Sequence, residues 1–379
     1  MKFLFIVQGE GRGHMTQAIS LFQLLQSSGH EVVSVCIGKS SRREIPDFVK
    51  NSLKCPIHTF ESPNFITDKK GKGILLRKTI SHNLKLIASF RKSLGSLHDI
   101  ITEAKPDVIL NFYDILGGLY NFIYRPESEF WVIGHQYLIY HPEFPFAPNQ
   151  RLQKWLFKIN TAVTGLLAHK KLALSFRPLG PSQNKNLFVL PPLLRKEVKS
   201  IPSQEGDFYL AYMVNAGYSE EVMAFGKNNP DLKIEAFWDQ KDAAKKFQPL
   251  PNITFHQVND RLFLEKMAAC KGLVCTAGFE SVCEAMYFGK QVMVVPVQGQ
   301  YEQACNAIDA ELSGAGIQHT SFDFKYFDDF LKQKERKNAS AKEWIDSFPI
   351  VFGEIIAPPT TLNTNEDMSR LDDLQMATA

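Results

Sequence analysis

The residues best suited to ligand binding lie between 274 and 291. There a short apolar run leads into Thr276, Gly278 and a helical pattern that ends at Gly289. Backbone N–H groups at such a helix start, with the helix dipole behind them, form a site for a diphosphate. The hydroxyls of Thr276 and Ser281 can add hydrogen bonds. Glu284 lies about one and a half turns into the helix, where its carboxylate can accept both hydroxyls of a ribose. An isolated glutamate in this place is more often a solvated helix residue.

A second glycine-rich turn occupies residues 9–13 and ends at His14. Its Gly-x-Gly-x-Gly spacing differs from the dinucleotide fingerprint, and the second strand ends at 36–38 without an acidic residue, which disfavours a nicotinamide cofactor. His14 has a pKa suited to taking a proton from an acceptor hydroxyl. Asp114 follows another strand of the same predicted sheet, so we expect it to meet and orient His14. The alternative is that His14 caps the first helix or contacts phosphate.

His135 and Gln136 follow a further strand, which ends at 133. Both side chains are expected at the same cleft, where they could touch the acceptor or the donor sugar. A satisfied core histidine is an equally good interpretation of His135.

Two series of alternating strands and helices position these residues. The first series has strands at 2–7, 31–37, 107–112, 130–133 and 187–190, and the second at 208–213, 233–237, 253–255, 272–275 and 291–295, with a helix at 261–269. The pattern predicts two Rossmann-like, doubly wound α/β domains facing each other across a cleft. The predicted domains are 1–190 and 207–356, joined by a linker at 191–206. The Thr- and Asn-rich tail at 357–379 is expected to be disordered.

Taken together, the two motifs resemble the signature of nucleotide-sugar glycosyltransferases of the GT-B fold. These include the plant and animal UDP-glycosyltransferases and the peptidoglycan N-acetylglucosaminyltransferase. The matching residues, in order, are Gly13, His14, Gly278, Ser281, Glu284, Gly289, Lys290, Pro296, Glu302, Gln303, Asn306 and Ala307.

The resemblance implies that the turn from Thr276 to Ser281 holds the diphosphate, Glu284 the ribose, and Glu302 with Gln303 the sugar hydroxyls. It further implies that two loops complete the donor site. The base-binding loop contains Gln257 and Val258, and the first loop of the second domain contains Asn215. Thr276 stands where many relatives carry a phosphate-binding histidine.

The family pattern also implies an acceptor-binding first domain and a His14–Asp114 pair as the catalytic base. It implies inverting transfer to a hydroxyl, from a donor expected to be a UDP-sugar, with neither a metal ion nor a cofactor. Synthesis of a cell-envelope polysaccharide or glycolipid would fit such an enzyme. A non-hydrolysing nucleotide-sugar epimerase and a catalytically silent nucleotide-sugar-binding subunit remain alternatives, because fold alone does not separate them.

Composition agrees with a soluble two-domain protein: 379 residues, 44% hydrophobic and 22% charged. The net charge of +3 is too small to indicate a nucleic-acid partner. Six cysteines without a Cys-x-x-Cys pair are interpreted as structural thiols, and no zinc site is expected. The chain shows neither a signal-peptide core nor an apolar run long enough to span a membrane, so we expect a cytoplasmic protein.

One segment, 69–98, is basic and contains neither Asp nor Glu. Its basic residues are Lys69, Lys70, Lys72, Arg77, Lys78, Lys85, Arg91 and Lys92, and a helical period places Leu76, Ile80, Leu84, Ile87, Phe90, Leu94 and Leu97 on another face. One interpretation is a solvated helix packed on the core by that apolar face. The other is a surface for anionic lipid headgroups, which would suit a lipid-linked acceptor and a peripheral position on the inner face of the membrane.

Overall fold

The computed structural model describes residues 1–39, 44–64, 76–213, 218–238, 244–333 and 339–357. These residues form two seven-stranded sheets, each flanked by helices. The prediction of two Rossmann-like α/β units is confirmed. Asn215, the basic residues Lys69, Lys70 and Lys72, and residues 358–379 of the predicted disordered tail lie outside the described residues.

The first sheet has the strand order β3-β2-β1-β4-β5-β6-β7, and all its neighbouring strands are parallel. Its elements are β1 (Lys2–Gln8), α1 (Arg12–Ser27), β2 (Glu31–Lys39), α2 (Asp47–Ser52), β3 (Ile57–Glu61), α3 (Leu76–Lys85), α4 (Ile87–Ala104), β4 (Val108–Phe112), α5 (Ile115–Tyr124), β5 (Glu129–Gly134), a 3-10 helix (His135–Tyr140), α6 (Arg151–Thr164), β6 (Lys170–Leu174) and β7 (Leu187–Leu190). Residues 3–7 of the central strand β1 are all buried because helices cover both faces of a parallel sheet.

The second sheet has the strand order β10-β11-β9-β8-β12-β13-β14, with β10 antiparallel to β11 and the other pairs parallel. A short helix, α7 (Lys196–Ser200), precedes β8 (Phe208–Met213), α8 (Ser219–Asn228), β9 (Lys233–Trp238), β10 (Lys246–Leu250), β11 (Ile253–Gln257), α9 (Asp260–Ala269), β12 (Gly272–Cys275), α10 (Phe279–Tyr287), β13 (Gln291–Val294), α11 (Tyr301–Leu312), β14 (Gly316–Gln318) and α12 (Phe324–Gln333).

Two C-terminal helices, α13 (Ala339–Asp346) and α14 (Phe348–Ile356), return to the first sheet. Trp344 Nε1 donates to the Ser175 carbonyl oxygen at 3.0 Å, and Lys170 Nζ donates to the Ile355 carbonyl oxygen at 2.9 Å. The end of the segment assigned by sequence to the second domain therefore also packs on the first. The domain boundaries themselves stay a prediction.

Four strands were not predicted: β3, β6, β10 and β14. Three of them, β3, β10 and β14, lie at sheet edges. Strands β3 and β10 bury few side chains, so their apolar signal is weak, and β14 has only three residues.

The prediction of one amphipathic helix through the basic segment is wrong, because α3 ends at Lys85 and α4 begins at Ile87. The apolar face is also divided. Leu94 and Leu97 are buried, whereas Leu84 and Ile87 are exposed. Among the described side chains, packing of the apolar face on the core therefore holds for Leu94 and Leu97 but not for Leu84 and Ile87.

None of the described helices is long and apolar enough to cross a membrane.

Candidate functional site

Two helix N-termini, one from each sheet, meet at the cleft. Helix α1 follows β1 and α10 follows β12, so both begin at the carboxyl edge of a parallel sheet, where ligands of this architecture bind. Both N-cap residues, Gly11 and Gly278, are glycines, which have no side chain to cap the helix. A Cβ placed on Gly13 would lie 3.2 Å from Glu280 Cγ, so the helices approach each other closely here. The partial positive charges of both helix ends thus face one small region.

Two polar contacts close the cleft around that region. Gln17 Nε2 of α1 donates to Glu280 Oε1 of α10, and Arg12 Nη1 lies 3.4 Å from Asp260 Oδ1 of α9. Both link side chains on the first helix of the chain to helices of the second sheet. The structure is therefore a closed arrangement in which the predicted acceptor side touches the predicted donor side.

His14 lies in the first turn of α1, at this junction. Its ring stacks on that of Tyr113 with centroids 5.7 Å apart, and its Nδ1 atom is buried without a hydrogen-bond partner. Burial lowers the pKa of His14 to about 4, against a smaller opposing effect of Gln17. The imidazole is accordingly neutral at pH 7, but this environment also makes it a weaker base than a solvated histidine.

Tyr113, whose ring stacks on His14, has a backbone φ of +63°. This lies in the left-handed region that residues other than glycine rarely adopt. Its hydroxyl shares a 2.7 Å hydrogen bond with Thr161 Oγ1 of α6. Strained backbone of this kind persists where surrounding contacts enforce it, and it is concentrated at functional sites. The turn after β4 therefore holds the ring of Tyr113 against that of His14.

The expected His14–Asp114 hydrogen bond is absent from this structure. Asp114 is the N-cap of α5: its Oδ1 accepts from the backbone N–H groups of Leu116 at 2.8 Å and Gly117 at 3.3 Å. Its Oδ2 lies against Gly38 of β2, where a Cβ would come within 2.2 Å of it. Burial raises the pKa of Asp114 to about 6, opposed first by a hydrogen bond from Ser62 and then by those from the Leu116 and Gly117 N–H groups. The carboxylate is engaged in capping, so the role of His14 as base stays a prediction without this partner.

The residues predicted to bind the diphosphate lie together at the start of α10. Thr276 is buried after β12, Gly278 is the exposed N-cap, and Ser281 is half-buried in the first turn. Gly289 has φ of +70°, as expected where a helix ends at glycine. Their contacts with a donor stay a prediction.

Glu284 is buried in α10 and already has a partner. Arg195 Nε donates to Glu284 Oε1 at 2.7 Å, and the two side chains are 15% and 3% exposed. Arg195 belongs to the Pro-rich stretch that the sequence marked as linker. The predicted ribose acceptor is therefore held by a cation from the connection between the two sheets.

A cavity of about 430 Å³ lies beside Arg195, between α1, α2, the linker and α9. Its walls include Thr16, Ile19, Phe48, Arg195, Asp260 and Leu264. This volume falls within the usual range for small-molecule sites, and the lining combines five charged side chains with four large apolar ones, so it is more polar than most such sites. The cavity is next to the predicted ribose carboxylate and to the start of α9, near the loop predicted to receive the base.

That loop follows β11. Gln257 and Val258 are half-buried there, and Asn259 caps α9 by accepting from the backbone N–H of Leu262 at 2.9 Å. Base contacts by Gln257 and Val258 stay a prediction.

The two residues predicted to hold sugar hydroxyls differ in their environment. Gln136 Nε2 donates to Glu302 Oε1 at 2.8 Å across the cleft, and burial raises the pKa of Glu302 to about 7. Gln303 instead shapes its own loop: its Oε1 accepts from the Val297 N–H at 2.9 Å, and its Nε2 donates to Gln300 Oε1 at 2.8 Å. Glu302 thus takes part in a hydrogen bond across the cleft, whereas the Gln303 side chain is engaged in hydrogen bonds within its own loop.

His135 occupies a core position at the junction of the two halves. Its Nδ1–H donates to the Leu174 carbonyl oxygen at 2.8 Å, and its ring stacks on Phe279 of α10 at 4.3 Å. Burial lowers the pKa of His135 to about 4. His135 Nε2 is buried without a hydrogen-bond partner and lies 3.7 Å from Asp309 Oδ2, so contact of His135 with a sugar stays a prediction.

Comparison with known families identifies the chain. A family model described as "Glycosyl transferase family 1" matches residues 1–334. The chain belongs to glycosyl transferase family 1. It is a glycosyltransferase and transfers sugar from a nucleotide sugar. No curated protein matches the sequence significantly.

Solved structures share the fold of this glycosyltransferase at low sequence identity. The glycotransferase of kitacinnamycin is 14% identical with a TM-score of 0.61, covering 94% of this chain and 98% of that one. UGT2 of Phytolacca americana, complexed with UDP-2fluoro-glucose and pterostilbene, is 14% identical with a TM-score of 0.61, covering 93% and 98%. MurG of Acinetobacter baumannii is 14% identical with a TM-score of 0.57, covering 94% and 99%. The GT-B fold implied by the sequence motifs is confirmed.

Three polar residues at the cleft of this glycosyltransferase were not predicted from the sequence: Gln17, Arg195 and Glu280. Glu280 is one helical turn before Glu284, and Gln17 is one turn after His14, so helical spacing from the motif residues could have indicated both. Burial raises the pKa of Glu280 to about 8, opposed by its hydrogen bond from Gln17 and reinforced by Glu284. Arg195 had no local signal.

Across the described ranges, no group of three or more His, Cys, Asp and Glu side chains is arranged to hold a metal ion. The cysteines in these ranges are all unpaired thiols.

Proposed function

We propose that this glycosyltransferase transfers a sugar from a UDP donor to an acceptor hydroxyl, inverting the anomeric configuration without a metal ion. The observation that carries the proposal is the meeting of the N-termini of α1 and α10, both with glycine at the N-cap, with Glu284 about one and a half turns into α10. Two helix ends supply backbone donors and positive potential where a diphosphate leaving group gains charge.

The donor would lie from the cleft toward the cavity beside Arg195. Its diphosphate would be held at the start of α10 by the turn from Thr276 to Ser281, and its ribose hydroxyls by Glu284. Because Arg195 already engages Glu284, bound ribose would share that carboxylate with the guanidinium or displace it. A uracil donor is supported by one relative of the same fold, solved with UDP-2fluoro-glucose. Another was solved with thymidine diphosphate, so the feature that the two share is a pyrimidine nucleotide.

Transfer would proceed by one displacement. His14 Nε2 takes the proton of the acceptor hydroxyl as that oxygen bonds to the anomeric carbon. The bond from the anomeric carbon to the diphosphate oxygen breaks, and UDP leaves with the electron pair. The two helix N-termini stabilise the new charge, and the proton remains on His14 until it passes to solvent.

A lipid-linked acceptor, in synthesis of a cell-envelope polysaccharide or glycolipid, is supported by the outer surface of the first domain. Leu84 and Ile87 are 61% and 45% exposed at the junction of α3 and α4, beside exposed Lys85. Helix α6 exposes Leu152, Trp155 and Ile159 along one stripe, flanked by Arg151, Lys154 and Lys158 and with no acidic residue in the helix. Apolar and aromatic side chains with a basic rim suit an anionic membrane surface.

The test is turnover of UDP-sugars with hydroxyl acceptors, after thermal-shift screening of nucleoside diphosphates and their sugars, since a ligand that prefers the folded state raises its melting temperature. We expect UDP to be released together with a glycosylated product of inverted configuration. His14→Ala should lower kcat by about 100-fold or more while nearly retaining donor affinity. Conversion of the donor to an epimer without acceptor, or retention of the anomeric configuration, would contradict the proposal.

A further inference from the structure

The side chain of Gln17 connects the two halves of the cleft at the place where His14 lies. Its Nε2 donates to Glu280 Oε1, and its Oε1 is buried without a hydrogen-bond partner. His14 Nδ1 is likewise buried without a partner. Because a buried polar atom without a partner is costly, two such atoms three residues apart on one helix call for an explanation.

Their positions on α1 place the two side chains next to each other. His14 and Gln17 are three residues apart in α1, the spacing at which side chains lie next to each other on a helix surface. A glutamine amide has a donating and an accepting end, and Glu280 engages the donating end. The end that remains is an acceptor, which matches the N–H that an imidazole carries on Nδ1 when its Nε2 is free to act as a base.

We propose that Gln17, held in orientation by Glu280 across the cleft, positions His14 for proton abstraction. Gln17 Oε1 accepts from His14 Nδ1–H, which fixes the tautomer that leaves the Nε2 lone pair available to the acceptor hydroxyl. Gln17 and Glu280 are thus positioning residues that act through His14. This inference rests on the proposed role of His14 as the base.

The surroundings support this pair over the alternatives. Asp114 caps α5 and does not bond to His14. The other charged groups near Glu280 are paired: Arg195 with Glu284, and Arg12 with Asp260. Glu280 is therefore the carboxyl group that contacts Gln17 of α1. Its carbonyl oxygen can accept from Gln17 Nε2 whether or not the carboxyl group is protonated. Since Glu280 belongs to the second half of the chain, the arrangement is complete only when the cleft is closed.

A double-mutant cycle tests the proposal. Gln17→Met preserves the length of the side chain but not its hydrogen bonds, so kcat should fall by about 10-fold or more, with UDP affinity unchanged. In the His14→Ala background the same substitution should have almost no further effect, because residues that act as a unit are non-additive. Gln26→Met, on the exposed face of the same helix, is the matched control.

Exchange of the two polar groups provides a rescue. Gln17→Glu alone brings two carboxyls together and should lower kcat. Combined with Glu280→Gln, the carboxylate at position 17 can accept from both the new amide and His14, so kcat should recover toward the wild-type value. Melting temperatures of all variants separate loss of positioning from loss of folding.

The outcomes are distinguishable. Full turnover by Gln17→Met, with turnover lost in His14→Ala, would overturn the positioning role alone. An equal fall of kcat in both backgrounds would also overturn it, because Gln17 would then act independently of His14. Full turnover by His14→Ala would refute the base assignment and the positioning role with it.

Discussion

Replacing Glu284 by Gln should affect both stability and nucleotide binding, for separable reasons. In the free enzyme the substitution leaves the guanidinium of Arg195, 15% exposed, facing an uncharged amide. Removal of one partner from a buried ion pair typically costs 3–5 kcal/mol, and the amide oxygen still accepts one hydrogen bond, so we expect a loss of about 2–3 kcal/mol. For a domain of this size that lowers the melting temperature by roughly 5–10 °C.

The second effect concerns the ribose. Hydrogen bonds to a charged group contribute about 1.5–3 kcal/mol, so loss of the carboxylate should weaken UDP binding by about 10- to 100-fold. Calorimetric titration of UDP measures this effect, and thermal unfolding of the free enzyme measures the first. Glu284→Ala is a poorer probe, because it would leave Arg195 with no acceptor and disturb the fold further.

The chain provides a matched control for the ion pair. Lys199 Nζ lies 2.7 Å from Asp346 Oδ1, the same distance as in the Arg195–Glu284 pair, but its side chains are 36% and 42% exposed. Exposed pairs contribute about 0–1 kcal/mol, so Asp346→Asn should hardly change the melting temperature. Equal shifts for Glu284→Gln and Asp346→Asn would refute the burial argument. An unchanged dissociation constant for UDP would refute the ribose assignment.

Three further predictions concern pH, metal ions and membranes. Burial raises the pKa of Glu302 from 4.5 to about 7, so its contribution to stability is present below pH 4.5 and lost as pH rises through 7. As the pH rises from 4.5 to 8, the free energy of unfolding of Glu302→Gln should therefore increase by about 3 kcal/mol relative to that of the wild type, measured by thermal unfolding at each pH. The exposed control Glu311→Gln should show no such increase. Turnover should survive chelation; loss of activity in chelator that magnesium or manganese restores would argue against the metal-independent mechanism. The enzyme should sediment with anionic vesicles at low salt and be released at high salt. Replacing Lys78, Lys85 and Lys92 by Gln should abolish that binding. Equal partition onto neutral and anionic vesicles would argue against an electrostatic membrane contact.

The strands that carry the motifs were the easiest to predict. In β1, β8 and β12 a continuous apolar run reflects burial on both faces, and the glycine-containing turn after β1 and β12 marks where each strand gives way to a helix. Strand β10 gave no such signal, because its side chains face solvent at a sheet edge and Pro249 interrupts it. Periodicity likewise suggested one helix through the basic segment, although it does not register the break before Ile87.

Local sequence therefore determined the alternation of strands and helices and the positions of the motif residues, since both depend on neighbours along the chain. Tertiary structure decided which charges and amides meet. Arg195 reaches Glu284 across 89 positions, and Gln17 reaches Glu280 across 263. It also decided that Asp114 caps a helix rather than bonding to His14. Such partners are fixed by how two sheets close on each other, and this geometry has no periodic trace in the sequence.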